Sequence, residues 1–156
     1  MIVKGQVLTI EQVCAVAEQT QTLTLSDEGQ FVDRINKGAV FIDTLLQEEG
    51  CVYGVTTGYG DSCTVSIPLQ HVAELPKHLY TFHGCGLGDF FDQQQTRAVL
   101  VVRLNSLAQG FSGVRYLLLQ QIAELLKQNI LPLIPQEGSV GASGDLTPLS
   151  YVAAVL

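Results

Sequence analysis

The stretch DQQQTRAVLVVRLNSLAQG, residues 92–110, decides the fold class because it has the pattern of one long and mostly apolar helix. Asp92 stands at its start and Gln95 follows at the position that completes a capping box. Gly110 stands after its last turn, where glycine commonly ends a helix. A second helical pattern, VRYLLLQQIAELLKQN, follows at 114–129. The sequence therefore predicts a mainly α-helical fold.

Helices are also predicted on the N-terminal side of this stretch. Thr9, with Gln12 at the capping-box position, can begin a short helix. Ser26 precedes a longer helical pattern that runs to about Glu49 and is followed by Gly50. Its apolar residues recur at roughly helical spacing: Phe31, Ile35, Val40, Ile42, Leu45 and Leu46.

The remaining segments combine short helices with loops that contain glycine. Residues 51–55 are expected to be extended and to enter a glycine-rich loop. A helical pattern begins at Pro68, and Pro76 is expected to kink or split it. Near the end of the chain, Thr147 followed by Pro148 has the pattern of a helix cap and a first helical residue.

Composition limits the class of protein. The chain has 156 residues, of which 47% are hydrophobic and 15% charged, so it is too apolar to be disordered. A net charge of −7 without a basic stripe argues against a nucleic-acid partner. The most apolar internal run, 98–104, is short and contains Arg103, so no membrane span is predicted. No signal peptide and no C-x-x-C pair are present, so we expect reduced thiols, no metal site and a cytoplasmic location.

The segment GSVGASGDLTP, 138–148, contains residues that can form an electrophile from the backbone itself. If the Gly144 amide nitrogen attacks the Ala142 carbonyl carbon, a ring closes and loses water. Loss of the Ser143 hydroxyl with its α-hydrogen, as a second water, leaves an exocyclic methylidene. Glycine provides the least hindered nitrogen for this attack. Asp145 either caps the next helix or assists ring closure; the alternative interpretation of the whole segment is a flexible linker.

Three motifs resemble the histidine and phenylalanine ammonia-lyase family, in that family's order. GSVGASGDLTPLSYVAAVL, at 138–156, resembles the signature that carries the self-made ring. VYGVTTGYGDSC, at 52–63, is similar to the family's Y-G-V-x-T-G-F-G loop, with Tyr59 in place of the usual Phe. RLNSLAQGFSGVR, at 103–115, is similar to the R-x-N-x-L-x-x-G-x-S-G segment. Within this family, the residues of these motifs are most similar to those of histidine lyases.

The resemblance implies a fumarase–aspartase-type helical fold, with residues 1–156 as the N-terminal domain that carries the ring and the start of a central helical bundle. It implies the cofactor 4-methylidene-imidazol-5-one, formed from Ala142, Ser143 and Gly144, with no metal or nucleotide. It also implies a homotetramer whose active sites combine residues of several subunits. The groups that bind the substrate carboxylate in this family lie beyond residue 156, so the chain alone is expected to be inactive and poorly folded.

Tyr53, Gly60, Phe82 and His83 are the remaining site residues that the resemblance implies. Tyr53 matches the tyrosine that removes the β-proton of the substrate, although a phenol with its ordinary pKa of about 10 is a weak base at neutral pH. Gly60, in the same loop, is assigned to substrate binding. Phe82 and His83 match the pair that contacts the substrate ring, and they combine the His of histidine lyases with the Phe of phenylalanine lyases. Structural alternatives for these residues are an aromatic that fills a gap and a histidine bonded to the backbone.

The predicted function is non-oxidative removal of ammonia from an aromatic L-amino acid, which makes the protein a carbon–nitrogen lyase. L-Histidine, giving trans-urocanate, is the first candidate substrate, and L-tyrosine and L-phenylalanine follow. A related aminomutase is a further alternative. A non-catalytic helical fragment or subunit in which the ring does not form is the alternative from another class.

Arg103 and Asn105 are expected to brace helix packing rather than to bond loop carbonyls.

Overall fold

The computed structural model describes residues 1–48, 50–138 and 146–156. Short 3-10 turns lie at Gly60–Thr64 and Leu69–His71. The predicted mainly helical fold is confirmed. The elements in chain order are β1 (Ile2–Val3), α1 (Ile10–Ala17), β2 (Thr24–Leu25), α2 (Gly29–Glu48), α3 (Leu75–His83), β3 (Leu87–Phe90), α4 (Gln93–Ala108), α5 (Tyr116–Gln128), β4 (Pro135–Glu137) and α6 (Leu146–Ala153).

Helix α4 lies at the centre of the hydrophobic core. Helices α1 and α5 both pack against it. Because neighbours cover it on more than one side, its buried apolar residues do not form a single stripe; they are Leu100, Val101, Leu104, Leu107 and Ala108. The helix begins at the residue that the sequence predicts. The Asp92 carboxylate accepts from the Gln95 amide at 2.8 Å, and the Gln95 side chain accepts from the Asp92 amide at 2.9 Å.

Helix α1 confirms the other predicted capping box. The Thr9 hydroxyl accepts from the Gln12 amide at 3.3 Å, and the Gln12 side chain accepts from the Thr9 amide at 3.0 Å. Both boxes satisfy amides that the first helical turn leaves without an intrahelical partner. Residues at most three positions apart therefore define where these two helices begin.

The helix predicted after Ser26 is present as α2, and its buried residues lie in its first half. Phe31 and Ile35 are buried in the core, whereas Val40 is exposed. The apolar positions after Ile35 are at most partly buried. Although α2 contains 20 residues, none of the helices that the structure describes is both long and apolar enough to cross a membrane.

The two short sheets are parallel for β1 and β2 and antiparallel for β3 and β4. The second sheet is the one that matters for the candidate site. It pairs Leu87 with Glu137 and Phe90 with Pro135, so it joins the segment after α3 to the segment before α6. Pro76 lies at the start of α3, after the 3-10 turn at Leu69–His71, so the predicted split is confirmed.

Two local predictions are wrong. Residues 53–56 form a turn rather than a strand, since Gly54 has a φ of +72° and the Thr56 amide bonds to the Val52 carbonyl at 2.9 Å. Thr147 does not cap α6; it lies inside the helix, which begins at Leu146, and it is buried. Pro148 is accommodated one residue later because amides in a first turn have no intrahelical acceptor.

Candidate functional site

Threonine side chains shape the loop that carries Tyr53. The Thr56 hydroxyl accepts from the Val52 amide at 2.7 Å, and the Thr57 hydroxyl accepts from the Gly54 amide at 3.0 Å. The loop returns on itself where the Ile67 amide donates to the Thr56 carbonyl at 2.7 Å. Both threonines are buried. The side chain of Tyr53 is thus held on a closed loop, with its ring directed outward.

Tyr53 and Gly60, which the sequence assigns to one site, are in direct contact. The Gly60 amide donates a hydrogen bond to the Tyr53 hydroxyl oxygen at 3.0 Å. Gly60 begins the 3-10 turn Gly60–Thr64 and has a φ of +56°, a region that glycine adopts without strain. The Tyr53 side chain is 64% exposed, so its oxygen is open to a second partner. The hydrogen bond from Gly60 leaves the Tyr53 oxygen in the role of acceptor and fixes its position.

Phe82 and His83 form the last turn of α3. Their rings meet edge to face, with centroids 5.2 Å apart and an interplanar angle of 85°. Phe82 is 77% exposed, and His83 is partly buried. The His83 ring makes no hydrogen bond to any of the residues that the structure describes. A stacking surface and an imidazole therefore lie side by side at the end of the helix.

Gly86 is the junction that connects this pair with helix α6. Its amide donates to the Tyr151 hydroxyl oxygen at 2.9 Å, across 65 positions of the chain. A Cβ on Gly86 would lie 2.7 Å from Pro135 Cγ, so strand β4 closes over this position. Helix α3 packs against α6 in the same region. The end of α3 is thus fixed relative to α6.

The predicted ring-forming residues Ala142, Ser143 and Gly144, and the predicted supporting residue Asp145, lie outside the described residues. The residues on either side of the segment are described. A Cβ on Gly138 would lie 2.6 Å from Thr147 Cγ2 and 3.1 Å from Gly86 Cα. The two ends of the segment therefore meet at Gly86, close to His83 in the chain.

The predicted residues fall into two groups. Tyr53 and Gly60 form one group, and Phe82 and His83 form the other. Across the described ranges, no hydrogen bond or aromatic contact joins the first group to the second. The same part of the structure contains no cluster of His, Cys, Asp or Glu that could hold a metal ion.

Asn105 braces helix packing, as the sequence suggests. Its side-chain amide donates to the Gln6 carbonyl at 3.0 Å and ties α4 to the N-terminal segment. Two other polar contacts escape sequence reasoning: the bond from Gly86 to Tyr151 and the bonds of buried Arg97. Their partners lie far apart in sequence, and no local pattern marks them.

Comparison with known proteins gives a consistent assignment. A family model described as aromatic amino acid lyase matches residues 8–156. Histidine ammonia-lyase from Streptococcus pyogenes is 38% identical over 148 residues, which is 95% of this chain and 28% of that protein.

Solved structures agree with this comparison. Tyrosine aminomutase from Streptomyces globisporus is 34% identical with a TM-score of 0.87, over 97% of this chain and 28% of that one. Histidine ammonia-lyase from Trypanosoma cruzi is 31% identical with a TM-score of 0.78, over 96% of this chain and 28% of that one. The chain thus spans somewhat more than a quarter of the length of these relatives.

Proposed function

Because this chain belongs to the aromatic amino acid lyase family, we propose that it is the N-terminal domain of an enzyme that removes ammonia from an aromatic L-amino acid without oxidation. The observation that carries the proposal is the hydrogen bond from the Gly60 amide to the exposed Tyr53 oxygen. In this hydrogen bond the Tyr53 oxygen is the acceptor. Tyr53 matches the tyrosine that serves as the base in the loop that this segment resembles.

Tyr53 is proposed to take the β-proton of the substrate. The proton moves to the phenol oxygen, and the electron pair of the carbon–hydrogen bond forms the double bond as the amine leaves. The Gly60 amide holds the Tyr53 oxygen in place before the transfer through its hydrogen bond of 3.0 Å, since a base must be positioned within reach of the proton.

Ala142, Ser143 and Gly144 are proposed to form 4-methylidene-imidazol-5-one, with Asp145 assisting. Gly138 and Thr147 support this assignment, because these residues flank the segment in the sequence and lie against each other beside Gly86. When formed, the ring supplies an electrophile that accepts electrons from the substrate. The described residues contribute the contact between Gly138 and Thr147.

Phe82 and His83 are proposed to contact the substrate ring. The Phe82 face suits an aromatic ring, and a nitrogen of His83 can bond to an imidazole or to a phenol hydroxyl. We place L-histidine first, because histidine ammonia-lyases are among the relatives at 38% identity. L-Tyrosine and L-phenylalanine follow in that order.

A tyrosine aminomutase is the second candidate function. It is favoured by the likeness to the Streptomyces globisporus enzyme, at 34% identity and a TM-score of 0.87. The hybrid pair Phe82 and His83 suits a phenolic substrate as well as an imidazole. In either case we propose a homotetramer whose other segments bind the substrate carboxylate.

Intact-mass measurement of the complete protein tests ring formation. Loss of two waters lowers the mass by about 36 Da, as a covalent modification. The control variant Ser143→Ala has no hydroxyl to lose at this position, so it should not show the loss of both waters. An unmodified mass for the wild type would favour the non-catalytic alternative.

Separate incubation with L-histidine, L-tyrosine and L-phenylalanine tests the substrate. We expect ultraviolet absorbance of a conjugated acid to appear fastest with L-histidine. Appearance of a β-amino acid from L-tyrosine, detected by chromatography, would instead support the aminomutase.

Tyr53→Phe should reduce turnover by about 10²-fold or more, since a positioned base contributes a factor of that order.

A further inference from the structure

Tyr53 and Tyr59 are linked by a reciprocal pair of hydrogen bonds. The Gly60 amide, directly after Tyr59, donates to the Tyr53 oxygen at 3.0 Å. The Tyr59 hydroxyl donates to the carbonyl of Gly54, directly after Tyr53, at 2.9 Å. Each tyrosine hydroxyl therefore bonds to the backbone of the glycine that follows the other tyrosine. We call this arrangement the tyrosine latch.

Close packing leaves the Tyr59 ring little freedom. Gly54 has a φ of +72°, and a Cβ there would lie 2.8 Å from Tyr59 Cε1. The ring thus lies directly on the Gly54 backbone. The Tyr53 and Tyr59 rings also meet edge to face, with centroids 6.1 Å apart and an interplanar angle of 83°. A small shift of the Tyr59 ring would therefore move the residue that precedes Gly54, which is Tyr53.

The two hydroxyl groups have opposite roles. Burial raises the pKa of Tyr59 above its ordinary value, and the nearby Tyr53 raises it further. Tyr59 thus stays protonated and serves as a donor. The Tyr53 oxygen accepts from Gly60 and is largely exposed. The latch contains one tyrosine suited to hold the loop and one suited to react.

We propose that Tyr59 is a positioning residue that holds Tyr53 in place for proton removal through its bond to the Gly54 carbonyl. This inference rests on the proposed function of Tyr53. The family loop that this segment resembles has Phe at the position of Tyr59. A Phe ring keeps the packing on Gly54 but lacks the hydroxyl, so the bond to the Gly54 carbonyl is an addition of this chain.

The test is Tyr59→Phe in the complete protein, with Tyr116→Phe as a matched control. The Tyr116 hydroxyl also donates to a backbone carbonyl, that of Ser26, at 2.8 Å. Both residues lie outside the candidate site. The substrate is whichever of L-histidine, L-tyrosine and L-phenylalanine the wild type consumes fastest, in normal and β-deuterated form. Amide hydrogen exchange of residues 52–67 is followed by mass spectrometry.

For Tyr59→Phe we expect kcat to fall about fivefold, the factor that corresponds to one neutral hydrogen bond. KM should change by less than about twofold, since substrate contacts are retained. The isotope effect on kcat should increase, because a misplaced base makes β-proton removal slower relative to other steps. Exchange of residues 52–67 should be faster. Tyr116→Phe should leave kcat, the isotope effect and this exchange as in the wild type.

Wild-type values of the isotope effect and of loop exchange in Tyr59→Phe would overturn the proposal. The same holds if Tyr116→Phe changes them equally, since the effect would then be general destabilisation. If the wild type consumes none of the three amino acids, the proposed function fails. The exchange data alone then decide whether Tyr59 holds the loop in place. Faster exchange only in Tyr59→Phe would then support the latch, and unchanged exchange would reject it.

Discussion

Arg97 joins helix α4 to the ends of two other helices. Its guanidinium donates to the Val16 carbonyl at 3.2 Å, and to the Leu126 carbonyl and the Asn129 side chain at 3.0 Å each. The side chain is only 6% exposed, and this burial lowers its pKa, although a guanidinium remains charged. Val16 and Leu126 lie in the last turns of α1 and α5, where the helix dipole favours a cation.

Arg97→Met should destabilise the fold by roughly 2–4 kcal/mol, because buried carbonyls lose a charged donor. Arg103→Met is the matched control. Arg103 lies in the same helix, is partly buried and makes no hydrogen bond to the described residues. Its replacement should cost less than about 0.5 kcal/mol. Thermal unfolding of both variants checks this; an equal loss of stability would show that the bonds of Arg97 contribute nothing specific.

At the scale of elements, the sequence predicts the starts of α1 and α4, but it predicts contacts between elements poorly. Asp92 and Thr9 are found because a capping box depends on residues within one turn. The contact of Gly86 with Tyr151 spans 65 positions, and nothing in either local sequence marks it. Thr147 is misassigned for the same reason, since its burial beside Gly138 depends on the distant strand pair.

Gly86→Ala tests whether the junction of β3, β4 and α6 holds the end of α3 in place. The new Cβ would lie 2.7 Å from Pro135 Cβ and 3.2 Å from the Tyr151 hydroxyl, so one of these groups must move. Such overpacking costs about 1–3 kcal/mol. Because His83 precedes this junction closely, KM of the complete protein for its substrate should rise, while the loss of about 36 Da that marks ring formation should remain.

Gly29→Ala is the control for this substitution. A Cβ on Gly29 would meet nothing within 4 Å, and the residue begins helix α2. Stability should be unchanged or increase by up to about 1 kcal/mol, since alanine restricts the unfolded chain. Calorimetry and steady-state kinetics of both variants distinguish the junction from a general effect of replacing glycine. Wild-type KM in Gly86→Ala would contradict the role of the junction.

At the scale of the whole molecule, the core and the candidate site differ in how far their side chains are buried. Helices α1, α4 and α5 form a continuous core, whereas α3 has no buried residue. Large apolar side chains remain exposed near the site, among them Phe82 and Leu87. Exposed apolar surface of this kind marks sites that bind another surface or a ligand. The chain spans 28% of the length of the Streptococcus pyogenes relative.

One partly buried hydrogen bond of Tyr116 links the stability of the fold to alkaline pH. Its hydroxyl donates to the Ser26 carbonyl at 2.8 Å, and its ring meets Phe31 edge to face with centroids 6.0 Å apart. Burial, followed by the nearby Asp27, raises the pKa of Tyr116 above its ordinary value. The folded state thus keeps a proton that the unfolded state releases near pH 10, so this stability is present below about pH 10 and is lost as pH rises above it.

The thermal midpoint of the wild type should therefore fall more steeply above about pH 10 than that of Tyr116→Phe, which has no proton to lose. At neutral pH the variant should be less stable by roughly 1 kcal/mol, since one hydrogen bond is removed. The two midpoints should thus converge as the solution becomes alkaline. A constant difference across the series from about pH 7 to about pH 11 would mean that ionisation of Tyr116 is not linked to unfolding, and that its contact with Ser26 acts only through the hydrogen bond itself.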